Sequence, residues 1–477
     1  MKRYDPKGAV ILVAIVTAVG LIVPWAAGSF TTEEQAPVTK REPEHRPRAR
    51  SKPDIPLAER LRAAVEAQRF DQVADLMPPD VTGPVRGADR PPRPPHMPNV
   101  DVSVIELDDR GRPVDAANVL LSEQYPTGAV VPVDSRLSSS AVRWRSWNLE
   151  EWNAGSAGSV DLVPGRENAP LEFISTYPAS VMKLMVGFGV LRAVDRGDID
   201  LEDELEYDPS NTTCGQPDKQ KIRTWFQRMI TMSDNRATCA LVKMLHDRGR
   251  IDDLNDTFSD LGLATLQLNG TNPRSGGSWS KTAMTSLDTA RLLLLVSGSP
   301  GVLWETPSGE PVTAAELSGS SRRFFYDMLE QQGLNQVLST SNWCGRDYPA
   351  PGIPQRVHRR WVDPQDGTVT VEQRVYGQDV RPCNRAAEVT FAHKTGLTSH
   401  GGADAGIVHA LPGKPDRDYI VVVMSNLGSR FTDIAAPAGP AGTYPVQYTQ
   451  KFGQLGKAID TIMTRRAAAA DKRRSLS

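Results

Sequence analysis

Apolar residues first recur at helical spacing near residue 60. Leu61, Ala64, Val65 and Val73 share one face of a helix predicted over 57–77. Prolines between 78 and 98 stop it, since each removes a backbone donor and clashes with the preceding turn. Val100-Asp101-Val102-Ser103-Val104 alternates apolar and polar, the pattern of a half-buried strand, and Asp109-Arg110-Gly111 marks a turn after it. The stretch 116–169 keeps no period. It is rich in Ser, Gly and Trp and reads as an insertion, with Trp144, Trp147 and Trp152 either pinning it down by burying apolar area or offering sugars a stacking platform.

The middle of the chain is helical in pattern. Residues 179–194 are almost all apolar, which predicts a central, buried helix. Two further helices are expected over 222–232 and 235–248, joined by a tight turn, and another over 287–296. Beyond Thr368-Val369-Thr370-Val371 the pattern turns to strands. The run 389–393 is followed by 405–410 and 419–424 at hairpin spacing, and 447–465 closes the pattern as a helix. A strand, then helices, then a strand meander and a last helix predict an antiparallel sheet with helices on its faces, an α+β sandwich. The folded domain is expected over 100–465, with 57–99 as its lead-in and insertions near 116–169 and 344–383.

The ends read differently. Lys2, Arg3 and Lys7 precede an uncharged run of 21 residues, 8–28, about 31 Å long as a helix and so about one hydrocarbon thickness. The basic residues before it orient the remainder outwards. The run reads as an uncleaved membrane anchor, or as a signal cleaved near Ala26-Ala27-Gly28. Residues 29–56, charged and proline-rich, read as a flexible linker. Residues 466–477 read as a frayed basic tail.

At 477 residues the chain allows two to four domains, or one large domain with insertions. A net charge of −2 leaves no electrostatic footprint for nucleic acid. Four cysteines in an exported chain suggest disulfides. Cys344 and Cys383 flank a hairpin pattern. Cys214 pairs with Cys239, or Cys239 stays unpaired in an apolar helix. With no CxxC and no clustered His and Cys, no metal and no cofactor is expected.

Three short motifs carry chemistry. Ser180-Val181-Met182-Lys183 puts a hydroxyl and an amine one helical turn apart, on one face. The amide N–H groups at that helix start suit an oxyanion. A lysine among Val181, Met182, Leu184 and Met185 is desolvated, which frees neutral amine to act as a base. Ser233-Asp234-Asn235 lies between two helices. There Ser233 can relay a proton, Asn235 can bind a substrate amide, and Asp234 is expected to cap the next helix. Lys394-Thr395-Gly396 ends a strand. Lys394 offers positive charge, Thr395 a hydroxyl, Gly396 close backbone approach, and the Leu397 N–H a second oxyanion donor. A second SxxK, Ser278 to Lys281, lies in a Gly/Ser-rich stretch with no apolar helix behind it and is taken as coincidence.

SxxK, SDN and KTG in this order resemble the active site of the penicillin-recognising serine enzymes. The segment 177–184 and Ala392-His393-Lys394-Thr395-Gly396 are similar to those of the class A β-lactamase family, within the penicillin-binding protein superfamily. The resemblance spans roughly 100–465. It implies a five-stranded antiparallel sheet with a helical lobe and the site between them. It implies an acyl-enzyme on Ser180, with Lys183 as base, Ser233 as relay, and Lys394 and Thr395 holding a substrate carboxylate. The expected activity is that of an exported serine hydrolase acting on a β-lactam or a related acyl-amide or ester, as a monomer tied to the membrane by its N-terminal segment. A D-alanyl-D-alanine carboxypeptidase is the alternative enzyme. A β-lactam or peptidoglycan sensor with little or no turnover is the alternative outside catalysis.

The chain departs from that family at several points. The family's water-activating glutamate would fall within 263–286, where this sequence has no Asp or Glu; Asp288 is the next acid. Slow release of an acyl group is therefore expected. Leu397 also stands where a hydroxyl is common, with Thr398 or Ser399 as substitutes, and the hairpin insertion between Cys344 and Cys383 is expected to reshape the site entrance.

Overall fold

The computed structural model describes residues 55–75, 97–147, 153, 158–209, 214–344, 350–376, 378–433 and 449–475. The expected anchor at 1–28, the linker up to residue 54, and Trp152 lie outside the described residues. Among the described residues no helix is long and apolar enough to cross a membrane.

The main sheet is antiparallel. Its strands are Val100–Leu107 (β1), Pro113–Ser122 (β2), Tyr125–Val131 (β3), Val389–Leu397 (β4), Gly402–Ala410 (β5) and Asp418–Ser425 (β6), arranged β4-β5-β6-β1-β2-β3. Six strands stand where five were expected. The sixth, β3, comes from the stretch taken for an insertion. Pro126 and Gly128 blunt its strand signal, and both are tolerated because β3 is an edge strand. Its partner β2 comes from the same stretch, so only the part beyond it stands outside the main sheet. There Val142–Trp147, Ser159–Asp161 and Leu171–Ile174 form a separate small sheet.

Strand alternation gives the sheet two buried faces. In β6, Ile420, Val422 and Met424 point to the helical lobe, whereas Tyr419, Val421 and Val423 point to the opposite layer. That opposite layer is Leu57–Glu66 (α1) and a C-terminal helix, Thr449–Arg474, supplying Leu61, Val65, Phe452, Leu455 and Ile459. The lobe is built from Lys183–Asp195 (α2), Ile222–Thr231 (α3), Asn235–Asp247 (α4), Arg250–Asp260 (α5), Ser286–Ser297 (α6) and Gly319–Glu330 (α7). Helix α2 runs through its middle, with Leu184, Met185, Val186, Phe188, Val190 and Leu191 fully buried.

Two helix boundaries differ from expectation. Helix α1 ends at Glu66, because Arg69 takes a left-handed φ of 53° and the chain leaves as a short strand, Val73–Asp75, paired with Phe431–Asp433. The C-terminal helix (α8) does not fray at 466. The Ala467-Ala468-Ala469-Ala470 run favours helix, and Arg466 is held by Glu106 at 2.6 Å and Asp115 at 2.7 Å.

Both disulfides form, Cys214–Cys239 and Cys344–Cys383. The first resolves the open alternative for Cys239. Trp144 is buried edge-on against Phe173, as a pinning residue would be, whereas Trp147 is exposed.

Candidate active site

The site sits between β4 and the start of α2. Residues Ala179–Met182 form a single 3₁₀ turn before the α-helix begins at Lys183. Ala179 holds a left-handed φ of 49°, a conformation that costs a residue with a Cβ about 1–2 kcal/mol. Strand β4 lies directly against this turn. A Cβ on Gly396 would come within 2.5 Å of the Pro178 carbonyl oxygen and 3.1 Å of the Ser180 nitrogen, so only glycine permits the approach.

Lys183 is fully buried, and its amine is the hub of the site. Nζ lies 3.0 Å from Ser180 Oγ, 3.0 Å from Ser233 Oγ, 2.7 Å from the Ser233 carbonyl oxygen and 2.8 Å from Asn235 Oδ1. Four oxygens surround a group that has three protons when charged and two when neutral. The neutral amine donates twice and has a lone pair with which to accept the Ser180 proton. Burial pushes the Lys183 pKa well below the usual lysine value, and the nearby Lys394 amine pushes it in the same direction.

Lys394 is also fully buried, and burial lowers its pKa to about 7. Its amine donates to the Thr395 carbonyl oxygen at 2.8 Å and to Ser233 Oγ at 3.0 Å. Ser233 Oγ thus bridges both amines. Ser233 itself carries a left-handed φ of 62°, and its neighbour in the chain anchors the turn. Asp234 caps α4, accepting from the Arg236 N–H at 2.8 Å and the Ala237 N–H at 3.2 Å, and its other oxygen pairs with Arg228 at 2.6 Å. Asp234 is a structural residue, as expected.

A cavity of about 380 Å³ opens above these groups. Ser180, Ser233, Asn235, Thr395 and Leu397 line it, with the two lysines beneath. The structure therefore brings together all eight residues singled out by sequence: Ser180, Lys183, Ser233, Asn235, Lys394, Thr395, Gly396 and Leu397. Thr395 Oγ1 is buried and has no hydrogen-bond partner among the described residues, an open position for a ligand oxygen. Beneath β4, His393 is clamped between Asp404 Oδ1 and Asn335 Oδ1, each at 2.7 Å, which fixes the strand from below.

Other expectations fall outside the cavity. The second SxxK is on the surface, with Ser278 and Lys281 both exposed. Asp288 is spent on Thr265 Oγ1, at 2.6 Å, and on Arg291. Thr398 Oγ1 accepts from the His400 N–H at 3.2 Å within its own turn, and neither Thr398 nor Ser399 lines the cavity. No residue of 263–286 lines it either.

The insertion between Cys344 and Cys383 forms a cavity wall, at the site entrance where it was expected, through residues that the sequence did not single out. Val371, Glu372 and Arg374 reach it from the disulfide-closed insertion. They lie on a hairpin, Thr370–Val371 paired with Arg374–Val375, whose turn is Glu372-Gln373. The two flanking cysteines were the available signal, but spacing alone does not say which residues of such a loop reach the cavity.

Residues 174–342 match the model of the Beta-lactamase enzyme family. Among curated proteins none matches the chain. Similar solved structures include PBP-A, 16% identical over 87% of this chain and 99% of that one, with a TM-score of 0.43. A β-lactamase from Sphaerobacter thermophilus is 14% identical over 86% and 98%, with a TM-score of 0.42. The TLA-1 extended-spectrum β-lactamase is 13% identical over 85% and 99%, also with a TM-score of 0.42.

Proposed function

We propose that this chain, whose residues 174–342 match the model of the Beta-lactamase enzyme family, is an exported serine hydrolase of the β-lactamase and penicillin-binding type that carries its acyl group on Ser180. The observation that carries the reading is the buried Lys183 amine, 3.0 Å from Ser180 Oγ and 3.0 Å from Ser233 Oγ. An amine with a lowered pKa takes the Ser180 proton as Oγ attacks a carbonyl. The Ser180 and Leu397 N–H groups receive the oxyanion. Ser233, between two amines, passes the proton to the leaving nitrogen. Lys394 and the open Thr395 hydroxyl receive a substrate carboxylate. Together these groups suit a β-lactam or a related acyl-amide bearing a carboxylate near the scissile bond.

Export is part of the proposal. Two disulfides support an oxidising compartment, and the uncharged run at 8–28 supports attachment to the membrane. A carboxypeptidase acting on peptides ending in D-alanine shares the same acylation step. The acid-free loop at 263–286 favours, as a second reading, a sensor that is acylated once and held.

The test is intact-mass analysis of the purified full chain after incubation with benzylpenicillin. Wild type is expected to gain one penicilloyl group and Ser180→Ala none. An unlabelled wild type, or an equally labelled variant, refutes the proposal. Return of wild type to its starting mass separates a hydrolase from a sensor.

A further inference from the structure

An acyl group on Ser180 is an ester, and water attacks an ester slowly at neutral pH unless a base takes its proton. Lys183 stands 3.0 Å from Oγ, the atom that has to leave, and so is placed to protonate that oxygen. The base for the water must come from elsewhere in the cavity. Among the described residues Asp234 and Glu372 are the acids that line it, and Asp234 is committed to the α4 cap and to Arg228. Glu372 makes no hydrogen bond or ion pair among the described residues, and its charge is felt at Lys183.

From this geometry we propose that Glu372, on the tip of the disulfide-closed hairpin, is the general base that releases the acyl group from Ser180. The inference rests on the acyl-enzyme reading above and adds the residue that completes its cycle.

The hairpin is built to hold that tip in place. Val371, next to Glu372, is buried in a small apolar cluster with Val357, Trp361, Val369 and Tyr376, against which Met232 and Leu334 pack. Met232 directly precedes Ser233, so the hairpin is braced on the turn that carries the relay. Gly333 backs Val371 so closely that a Cβ there would sit 2.8 Å from Val371 Cγ2. Glu372 is held at a left-handed φ of 53°, the kind of backbone strain that concentrates at functional sites. The Cys344–Cys383 bond closes the 39-residue separation that contains all of this.

In the step proposed, Glu372 takes one proton from a water molecule as the water oxygen bonds to the acyl carbon. The acyl carbon–Oγ bond then breaks. The proton passes from Glu372 through Lys183 to Oγ, restoring the Ser180 hydroxyl, the neutral amine and the carboxylate, and the acyl group departs as a carboxylic acid.

The experiment follows acylation and release separately, by rapid mixing with benzylpenicillin and intact mass, using the full chain in detergent. Glu372→Gln is expected to acylate within about threefold of wild type and to release the acyl group some 10²–10⁴-fold more slowly, the range for a positioned base. Glu372→Asp should recover at least tenfold of that loss, a rescue that a merely structural role for the side chain would not give. Release by Glu372→Gln at the wild-type rate overturns the proposal. So does a wild type that holds its acyl group as long as the variant does, or an equal loss in both steps. A wild type that is never acylated refutes the acyl-enzyme reading itself, and the proposal falls with it.

Discussion

The buried lysine pair makes the site a source of instability, and the effect can be sized. Lys394 falls from the usual 10.5 to about 7 on folding because burial strips water from its ammonium. Each tenfold change in proton affinity is about 1.4 kcal/mol, so keeping the charged form in this site costs on the order of 5 kcal/mol. Lys394→Met removes that cost while filling similar volume. It also deletes two hydrogen bonds, to Ser233 Oγ and the Thr395 carbonyl oxygen, worth about 1–3 kcal/mol each when the donor is charged. The two effects nearly offset, so the variant should be inactive yet within a few kcal/mol of wild-type stability at pH 6. The firmer signature is the pH dependence. Between about 7 and 10.5 the unfolded Lys394 holds a proton that the folded one has released, so wild-type stability rises with pH across that window and is lost as pH falls towards 7. Lys394→Met should flatten the rise by up to one proton, about 1.4 kcal/mol per pH unit. Urea unfolding at pH 6, 7, 8 and 9 measures it. Identical slopes in the two proteins would refute the claim that this amine is neutralised on folding.

Two further outcomes are expected from the packing around the site. Gly333→Ala drives a Cβ into Val371 and Trp361; such overpacking costs about 1–3 kcal/mol, and it should push the hairpin tip outwards, slowing acyl release more than acylation in the mass assay. Asp234→Ala removes a helix cap worth about 1 kcal/mol and strands Arg228; urea unfolding should show a loss of about 1–3 kcal/mol, and benzylpenicillin labelling should slow because Ser233 loses the cap beside its strained turn.

What could be read from the sequence, and what could not, divides along the range of the forces involved. Ser180 and Lys183 were legible because one helical turn is a local spacing, and the apolar run behind them announces burial. Lys394 to Leu397 were legible because a strand ending in glycine is local too. The left-handed Ala179 and Ser233 were not, since neither residue type prefers that conformation; contacts between segments impose it, such as the press of Gly396 on the turn that holds Ser180. Strand β3 was hidden by its own edge position, which lets a proline and a glycine stand where a central strand would refuse them. The tail past 465 was misread because its basic residues looked like solvent-facing charge, whereas Arg466 finds Glu106 and Asp115 across more than 300 residues of chain. Glu372 is the extreme case. Its turn has no signature, and its position depends on Val371 meeting Gly333 and Trp361 under a disulfide whose cysteines stand 39 residues apart. In this site the nucleophile and its base stand three residues apart on one continuous turn and so leave a motif. A group that serves a later step has only to arrive in the cavity, by any route the fold allows. A sequence pattern can therefore specify the acylating half of such a site and leave the releasing half unspecified.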